Sequence, residues 1–247
     1  MSGSGSDENQ RAAIVTGASS GIGLAIARLL GEEGYGLTVS SRRPEKLEAA
    51  ASELAGAGYD VQHVAGNTGS EDVVRQVVAA HRDRFGRLDV LVNNAGVGIG
   101  AAVGDIQTKY LDMQIGVNLR SIVLFYRECD ELLRAAGAEH RNALVVNTSS
   151  IAGKSGQAWL SVYSATKHGV IGFTQAMNKE LNAAGIKSCA LAPGFVDTAM
   201  TDFVRESVSP SEMIRPEDVA EGVRFLLSLS PNCVIPEILF QRPGEQL

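Results

Sequence analysis

The stretch "VTGASSGIG", Val15 to Gly23, joins a short aliphatic run to a longer amphipathic one and fits two incompatible patterns. Gly17, Ser19 and Gly21 satisfy G-x-S-x-G, the turn that lifts a nucleophilic serine in many hydrolases. Gly17, Gly21 and Gly23 instead form a glycine loop, in which the backbone approaches a pyrophosphate and the N–H groups of a helix start point at it. On the second reading Ser19, Ser20 and Ile22 belong to a phosphate-facing loop, and Ser19 is a ligand rather than a nucleophile. The rest of the chain favours it. A hydrolase of that type places its elbow after several strands and its general-base histidine near the chain end. Here the glycines follow the first aliphatic run, and the last histidine is His168.

Further along, aliphatic runs alternate with helical patterns. Candidate strands are residues 12–16, 36–41, 60–65, 89–94, 143–149, 186–192 and 234–240, seven in all. Strand, helix, strand, repeated, predicts right-handed crossovers and a parallel sheet covered by helices on both faces, hence three layers. Ligands of such sheets sit at the carboxyl ends of the strands. The residues just past those ends read TGASSGIG, SRRP, GNTG, NAGVG, SSIAG and PGFVDT, polar or glycine-rich after apolar runs, which predicts one extended crevice.

Composition agrees. Among 247 residues, 45% are hydrophobic but only 5% aromatic, and 27 are glycine, which suits aliphatic strands joined by tight turns. This length fits one α/β domain over residues 11–247, preceded by a disordered tail over 1–10. A net charge of -6 argues against a nucleic-acid or anionic-membrane partner. Cys129, Cys189 and Cys233 are odd in number and far apart, so they predict buried apolar side chains in a reducing compartment and neither a disulfide framework nor a metal pair. No basic, apolar leader opens the chain and no window approaches a membrane span, so a cytoplasmic location is expected.

Three further stretches carry chemistry. An NAD site needs an acidic residue about 20 residues past the glycine loop to accept from the ribose 2′-hydroxyl. This chain has Ser41, Arg42 and Arg43 in that region, a hydroxyl and two guanidiniums, which favours the 2′-phosphate of NADP(H) over NAD(H). "YSATK" places Tyr163 and Lys167 at i and i+4, on one helix face, where an ammonium favours a phenolate and lowers its pKa. Upstream, Ser149 and Ser150 end a strand where either hydroxyl can reach a carbonyl oxygen or cap the next segment.

Together these residues resemble the short-chain dehydrogenase/reductase family, over roughly residues 12–225. TGASSGIG is similar to the family's TGxxxGxG loop, and Asn93-Asn94-Ala95-Gly96 to the motif ending its fourth strand. Asn118 resembles its helix asparagine, Ser150 its catalytic serine, Tyr163 and Lys167 its YxxxK pair, and Pro193-Gly194 with Val196 and Thr198 its PG motif beside the nicotinamide. Ser150 is preferred to Ser149 because it stands 13 residues before Tyr163, the family's usual spacing. The resemblance implies a doubly wound Rossmann fold and an NADP(H)-dependent carbonyl reductase or alcohol dehydrogenase of the 3-oxoacyl-reductase-like branch. It implies Tyr163 as general acid and base, Ser150 holding the carbonyl oxygen, Lys167 binding the nicotinamide ribose, and Asn118 holding a relay water. No metal is implied. A catalytically silent NADP(H)-binding sensor or scaffold of the same fold is the alternative, although such proteins usually lose the Tyr or the Lys.

Two departures stand out. Where many members carry an adenine-contacting Asp in "DVT", this chain has Gly66-Asn67-Thr68, so that the side-chain contact is either missing or passed to Asn67, and its ending lacks "ITG...DGG". Substrate choice is expected in a lid near residues 199–214, with Met200, Phe203, Val204 and Met213, or in a plain surface helix there. Gly98, Gly100, Ala101, Ala102 and Trp159 would line the other walls, and Arg205 offers a cation to an acidic substrate. In relatives the helices around 118–136 and 161–184 pack on a twofold mate. A homodimer or homotetramer is therefore expected, with Gly169, Gly172 and Ala176 permitting close approach.

Overall fold

The computed structural model describes residues 10–245. Apart from Gln10, the expected tail lies outside them. Seven strands, β1 (Ala12–Thr16), β2 (Gly36–Ser41), β3 (Val61–Ala65), β4 (Val90–Asn93), β5 (Ala143–Thr148), β6 (Ile186–Pro193) and β7 (Glu237–Phe240), form one sheet in the order β3-β2-β1-β4-β5-β6-β7. Every neighbouring pair is parallel. The last strand is shorter than its apolar run because Pro236 has no N–H to give a ladder.

Helices α1 (Gly21–Glu32), α2 (Pro44–Gly56) and α7 (Pro216–Ser228) cover one face, with Ala13, Val15, Leu37 and Val39 beneath them. Helices α3 (Glu71–Phe85), α5 (Ser121–His140) and α6 (Ser161–Leu181) cover the other, over Ile14, Leu91 and Val145. The period of two along β1 therefore sends consecutive aliphatic residues into two separate cores. A shorter helix, α4 (Thr108–Ile115), runs into α5 through one widened turn, Gly116–Arg120. On α6, Gly169 packs against Leu119 of the same chain, whereas Gly172 and Ala176 face outward. No helix among the described residues is long and apolar enough to cross a membrane.

From β1 the chain builds outward to β3 and then returns to β4 on the other side of β1, so the sheet reverses between β1 and β4. Crevices form at the carboxyl ends of strands at such a reversal. The opposite end is closed by Asp89, which is buried and accepts from Ala12 N (2.8 Å), Arg87 Nη2 (2.7 Å) and His140 Nε2 (2.9 Å).

His81, fully buried on α3, has no part in the crevice. Its Nε2 lies 2.8 Å from the Arg87 carbonyl and its Nδ1 2.7 Å from Thr38 Oγ1, which itself accepts from Gln62 Nε2. A neutral ring protonated at Nε2 satisfies all three bonds, with Thr38 giving its proton to Nδ1. Burial accordingly draws the His81 pKa down to about 4, against a partial offset from the Arg87 carbonyl. A histidine depressed in the fold supports stability above its unfolded pKa and loses that support as pH falls towards the folded value. Between pH 6.5 and about 4 the fold should therefore lose of the order of 3 kcal/mol through this group. Urea midpoints should show the gap between wild type and His81→Asn narrowing as pH falls; a constant gap contradicts the assignment.

Candidate active site

The glycine loop turns at the carboxyl end of β1. Gly17 adopts φ +68°, a left-handed conformation that favours glycine, and a Cβ there would stand 2.9 Å from Ala95 Cα. Gly23, one turn into α1, passes so close to the loop that a Cβ would lie 2.4 Å from the Gly17 carbonyl. Ser20 caps α1 with no side-chain hydrogen bond of its own, leaving its hydroxyl and the first N–H groups of the helix for an anion. Ser19 has no histidine partner among the described residues, and His168 Nδ1 is instead 2.9 Å from the Ser164 carbonyl on its own helix. Nothing activates Ser19 as a nucleophile.

The loop is held from the side by the end of β4. Thr16 Oγ1 accepts from Asn94 N and Ala95 N, both at 3.0 Å, and Asn94 Nδ2 donates to the Thr16 carbonyl at 3.2 Å and the Gly17 carbonyl at 3.4 Å. Asn94 Oδ1 in turn accepts from Thr148 Oγ1 at 3.2 Å. The Asn94 side chain thus holds the loop in shape instead of presenting its amide to a ligand. Thr16 and Thr148 are the residues that sequence reasoning missed, because a threonine inside a β-branched run carries no signal of its own.

At the end of β2, Ser41 is buried and its Oγ has no hydrogen-bond partner, and the same holds for Ser40 Oγ. Arg42 and Arg43 follow, exposed and without an ion-pair partner among the described residues. An orphaned hydroxyl beside two free guanidiniums fits a bound phosphate, since buried polar groups left unpaired are costly. Asn67, past β3, is exposed, but its Oδ1 already accepts from Gly69 N at 3.1 Å, so only its amide N–H donors are free.

The remaining candidates come from β5, α6 and the widened turn. Ser149 is buried and donates to the Lys167 carbonyl at 2.9 Å, which makes it a brace for α6. Ser150 accepts from Ala152 N at 3.1 Å, lies 3.4 Å from the Pro193 carbonyl it donates to, and stands beside the Tyr163 phenol. It both caps the next turn and faces the site. Lys167 is buried and donates to the Thr148 carbonyl at 2.7 Å, with Nζ 5.6 Å from the Tyr163 ring centre. Burial draws its pKa down to about 8. Asn118, in the widened turn, clamps Val97 by accepting from its N–H at 2.8 Å and donating to its carbonyl at 2.9 Å, and also donates to Thr166 Oγ1 at 3.1 Å. Both its amide protons are spent, so its side chain can take part in a relay only through the second lone pair of Oδ1. Gly96 lies between Asn118 and Lys167, a Cβ there standing 3.6 Å from Oδ1 and from Nζ.

The phenol corrects one expectation. Burial pushes the Tyr163 pKa above its ordinary value, with the Ser150 hydroxyl acting the other way. The Lys167 ammonium, 5.6 Å from the ring centre, spends one of its three N–H donors on the Thr148 carbonyl.

Downstream, Pro193 ends β6, Gly194 N donates to the Phe240 carbonyl at 2.9 Å, Val196 is buried and bridges to Ile214, and Thr198 opens the turn Ala199–Val204. The segment 199–214 holds two short turns, Ala199–Val204 and Pro210–Glu212, in place of a surface helix. Met200 and Phe203 are exposed on it while Met213 is buried. Arg205 is paired with Asp197 at 2.8 Å and Asp202 at 2.7 Å, so it is not the free cation that its sequence position suggested. Trp159 adopts φ +68°, a conformation that costs a bulky residue roughly 1 kcal/mol or more and that clusters at functional sites.

Residues 11–209 match the family described as short chain dehydrogenase. The chain belongs to the short-chain dehydrogenase family. It is 36% identical to a Streptomyces coelicolor protein provisionally named a ketoacyl reductase, over 94% of this chain and 95% of that one. It is 32% identical to the 3-oxoacyl-[acyl-carrier-protein] reductase FabG of Thermotoga maritima, over 92% and 94%. Among solved structures, a variant of actinorhodin polyketide ketoreductase crystallised with NADPH superposes with a TM-score of 0.85 at 34% identity, covering 95% of this chain and 97% of that one. The seven-stranded doubly wound Rossmann fold and the family expected from the sequence are both borne out.

If the loop must approach a dinucleotide, Gly23→Ala should cost at least about 1.4 kcal/mol of affinity, tenfold in Kd. Fluorescence titration with NADPH checks this; unchanged affinity contradicts the cradle.

Proposed function

We propose that the protein is an NADP(H)-dependent oxidoreductase that interconverts ketones and secondary alcohols, with Tyr163 as general acid and base. The observation that carries this reading is the gathering of Ser150, Tyr163 and Lys167 at the strand ends beside the glycine loop. Residues 17–23 would hold the pyrophosphate, Ser41, Arg42 and Arg43 the 2′-phosphate, Lys167 the nicotinamide ribose, and Val196 with Thr198 the nicotinamide. When bound, the dinucleotide supplies or accepts the hydride. Relatives of known structure support the same cofactor: actinorhodin ketoreductase with NADPH, and a metagenomic short-chain oxidoreductase, at 33% identity, with NADP.

The chain's own groups divide the rest of the work. Ser150 donates to the substrate oxygen and fixes the carbonyl at the phenol. Tyr163, its pKa raised by burial, is protonated at neutral pH and gives its proton to the developing alkoxide in reduction. Lys167 is a cation below about pH 8 and balances the phenolate that remains. Asn118 holds the loop after β4 against α6 through Val97 and Thr166, so the phenol and ammonium keep their places.

Tyr163→Phe should lower kcat by about a hundredfold or more on a ketone panel while sparing NADPH binding. Retained turnover removes Tyr163 from the reaction, and wild type that binds NADPH yet reduces no carbonyl fits the silent sensor instead. Arg42→Ala should weaken NADPH about tenfold, one charge-assisted hydrogen bond of roughly 1.5 kcal/mol, and leave NADH nearly unchanged. Equal losses for the two cofactors would overturn the preference.

A further inference from the structure

Beside Tyr163 lies a cavity of about 130 Å³ that none of the proposed hydride-transfer residues lines. Its walls include Ile99, Ile106, Tyr110, Gln114, Trp159 and Val162. The volume suits one six-membered ring, for an apolar cavity of ~150 Å³ holds benzene. Loop residues 98–100 run from the Tyr163 ring to the cavity wall: a Cβ at Gly98 would stand 3.7 Å from that ring, and one at Gly100 only 2.2 Å from the Trp159 indole.

Two side chains on these walls have features that the fold alone does not require. Trp159 keeps a left-handed backbone, fixed by its carbonyl accepting from Ala101 N at 2.8 Å, and lays its indole against Gly100 with 58% of the residue still exposed. The exposed part of the indole offers a flat aromatic surface for stacking. Gln114, on α4, is only 2% exposed. Its Oε1 accepts from Ile99 N at 3.1 Å, which fixes the amide orientation, and its Nε2 donates to nothing among the described residues. That amide N–H, on a cavity wall, is open to water or to an acceptor on a bound molecule.

We propose that this cavity is the substrate's ring subsite: it takes a planar six-membered ring bearing an acceptor oxygen, stacked on Trp159 and hydrogen-bonded by Gln114, while the substrate carbonyl reaches Tyr163. The inference rests on the carbonyl-reductase reading and names the substrate class for it. Tyr110 completes the aromatic lining, and the short loop 98–100 sets the distance from ring to carbonyl.

Trp159 is the one tryptophan of the chain, so its fluorescence reports the subsite directly in the unsubstituted protein. With NADP bound, 4-hydroxyacetophenone should quench it along a saturating curve, and 2-octanone should not; a purely linear, collisional response to the aryl ketone overturns the subsite. This readout does not need turnover, so failure of the oxidoreductase reading and failure of the subsite remain distinguishable. In steady-state assays Trp159→Leu should lower the acetophenone to 2-octanone ratio of kcat/KM about tenfold, mainly through KM. Trp159→Phe should restore most of it, and Gly100→Ala, which displaces the indole without removing it, should act like Trp159→Leu. Gln114→Met should lower the ratio of 4-hydroxyacetophenone to acetophenone about tenfold, the value of one buried hydrogen bond. Ratios that stay at wild-type values in Trp159→Leu and Gln114→Met overturn the proposal.

Discussion

The side-chain amide of Asn94 joins three parts of the molecule that sequence keeps far apart. It donates to the Thr16 and Gly17 carbonyls at the end of β1 and accepts from Thr148 at the end of β5. The Thr148 carbonyl then receives Lys167 from α6. One chain of hydrogen bonds therefore runs from the glycine loop to the YxxxK pair across the place where the sheet reverses. Parallel strands fix this arrangement, because their carboxyl ends emerge side by side. Any shift of β4 against β1 would disturb the anion cradle and the ammonium together.

Electrostatics at the two ends of that chain differ in kind. At the β2 end, exposed Arg42 and Arg43 stand beside the buried, unpartnered hydroxyl of Ser41, a set built to receive negative charge. At the α6 end, burial works on both members of the pair, pushing the Tyr163 phenol up and drawing the Lys167 ammonium down to about 8. Each is thereby moved towards its uncharged form, so a neutral phenol stands next to a weakly held ammonium proton.

Much of this was legible in the sequence, and the reasons are local. Seven aliphatic runs gave seven strands because buried parallel strands are apolar on both faces. The glycine loop, Arg42 and the Tyr163–Lys167 pair stood out by residue type and spacing, whereas the preference for Ser150 over Ser149 came from the family resemblance. What stayed hidden depends on pairing across the fold. Nothing in "RESVSP" or its neighbours announces that Arg205 is already paired with Asp197 and Asp202. The commitment of the Asn94 side chain to the Thr16 and Gly17 carbonyls likewise appears only when β1 and β4 are side by side. Gln114, within a short amphipathic helix, gave no sign that one half of its amide would be anchored and the other left free on a cavity wall.

The separations along the chain have a kinetic meaning. Asn94 meets Thr16 across 78 residues, and Arg87 with His140 closes the other end of the sheet through Asp89 across 51. Loops of that length must close, and parallel pairs must register, before any of these bonds can repay the entropy lost. The dinucleotide cradle is accordingly a late product of folding, assembled only when β4 and β5 have joined β1. Its appearance during refolding would mark the completed sheet, and a truncated chain ending before β5 would leave Asn94 without Thr148 and Lys167 without its carbonyl.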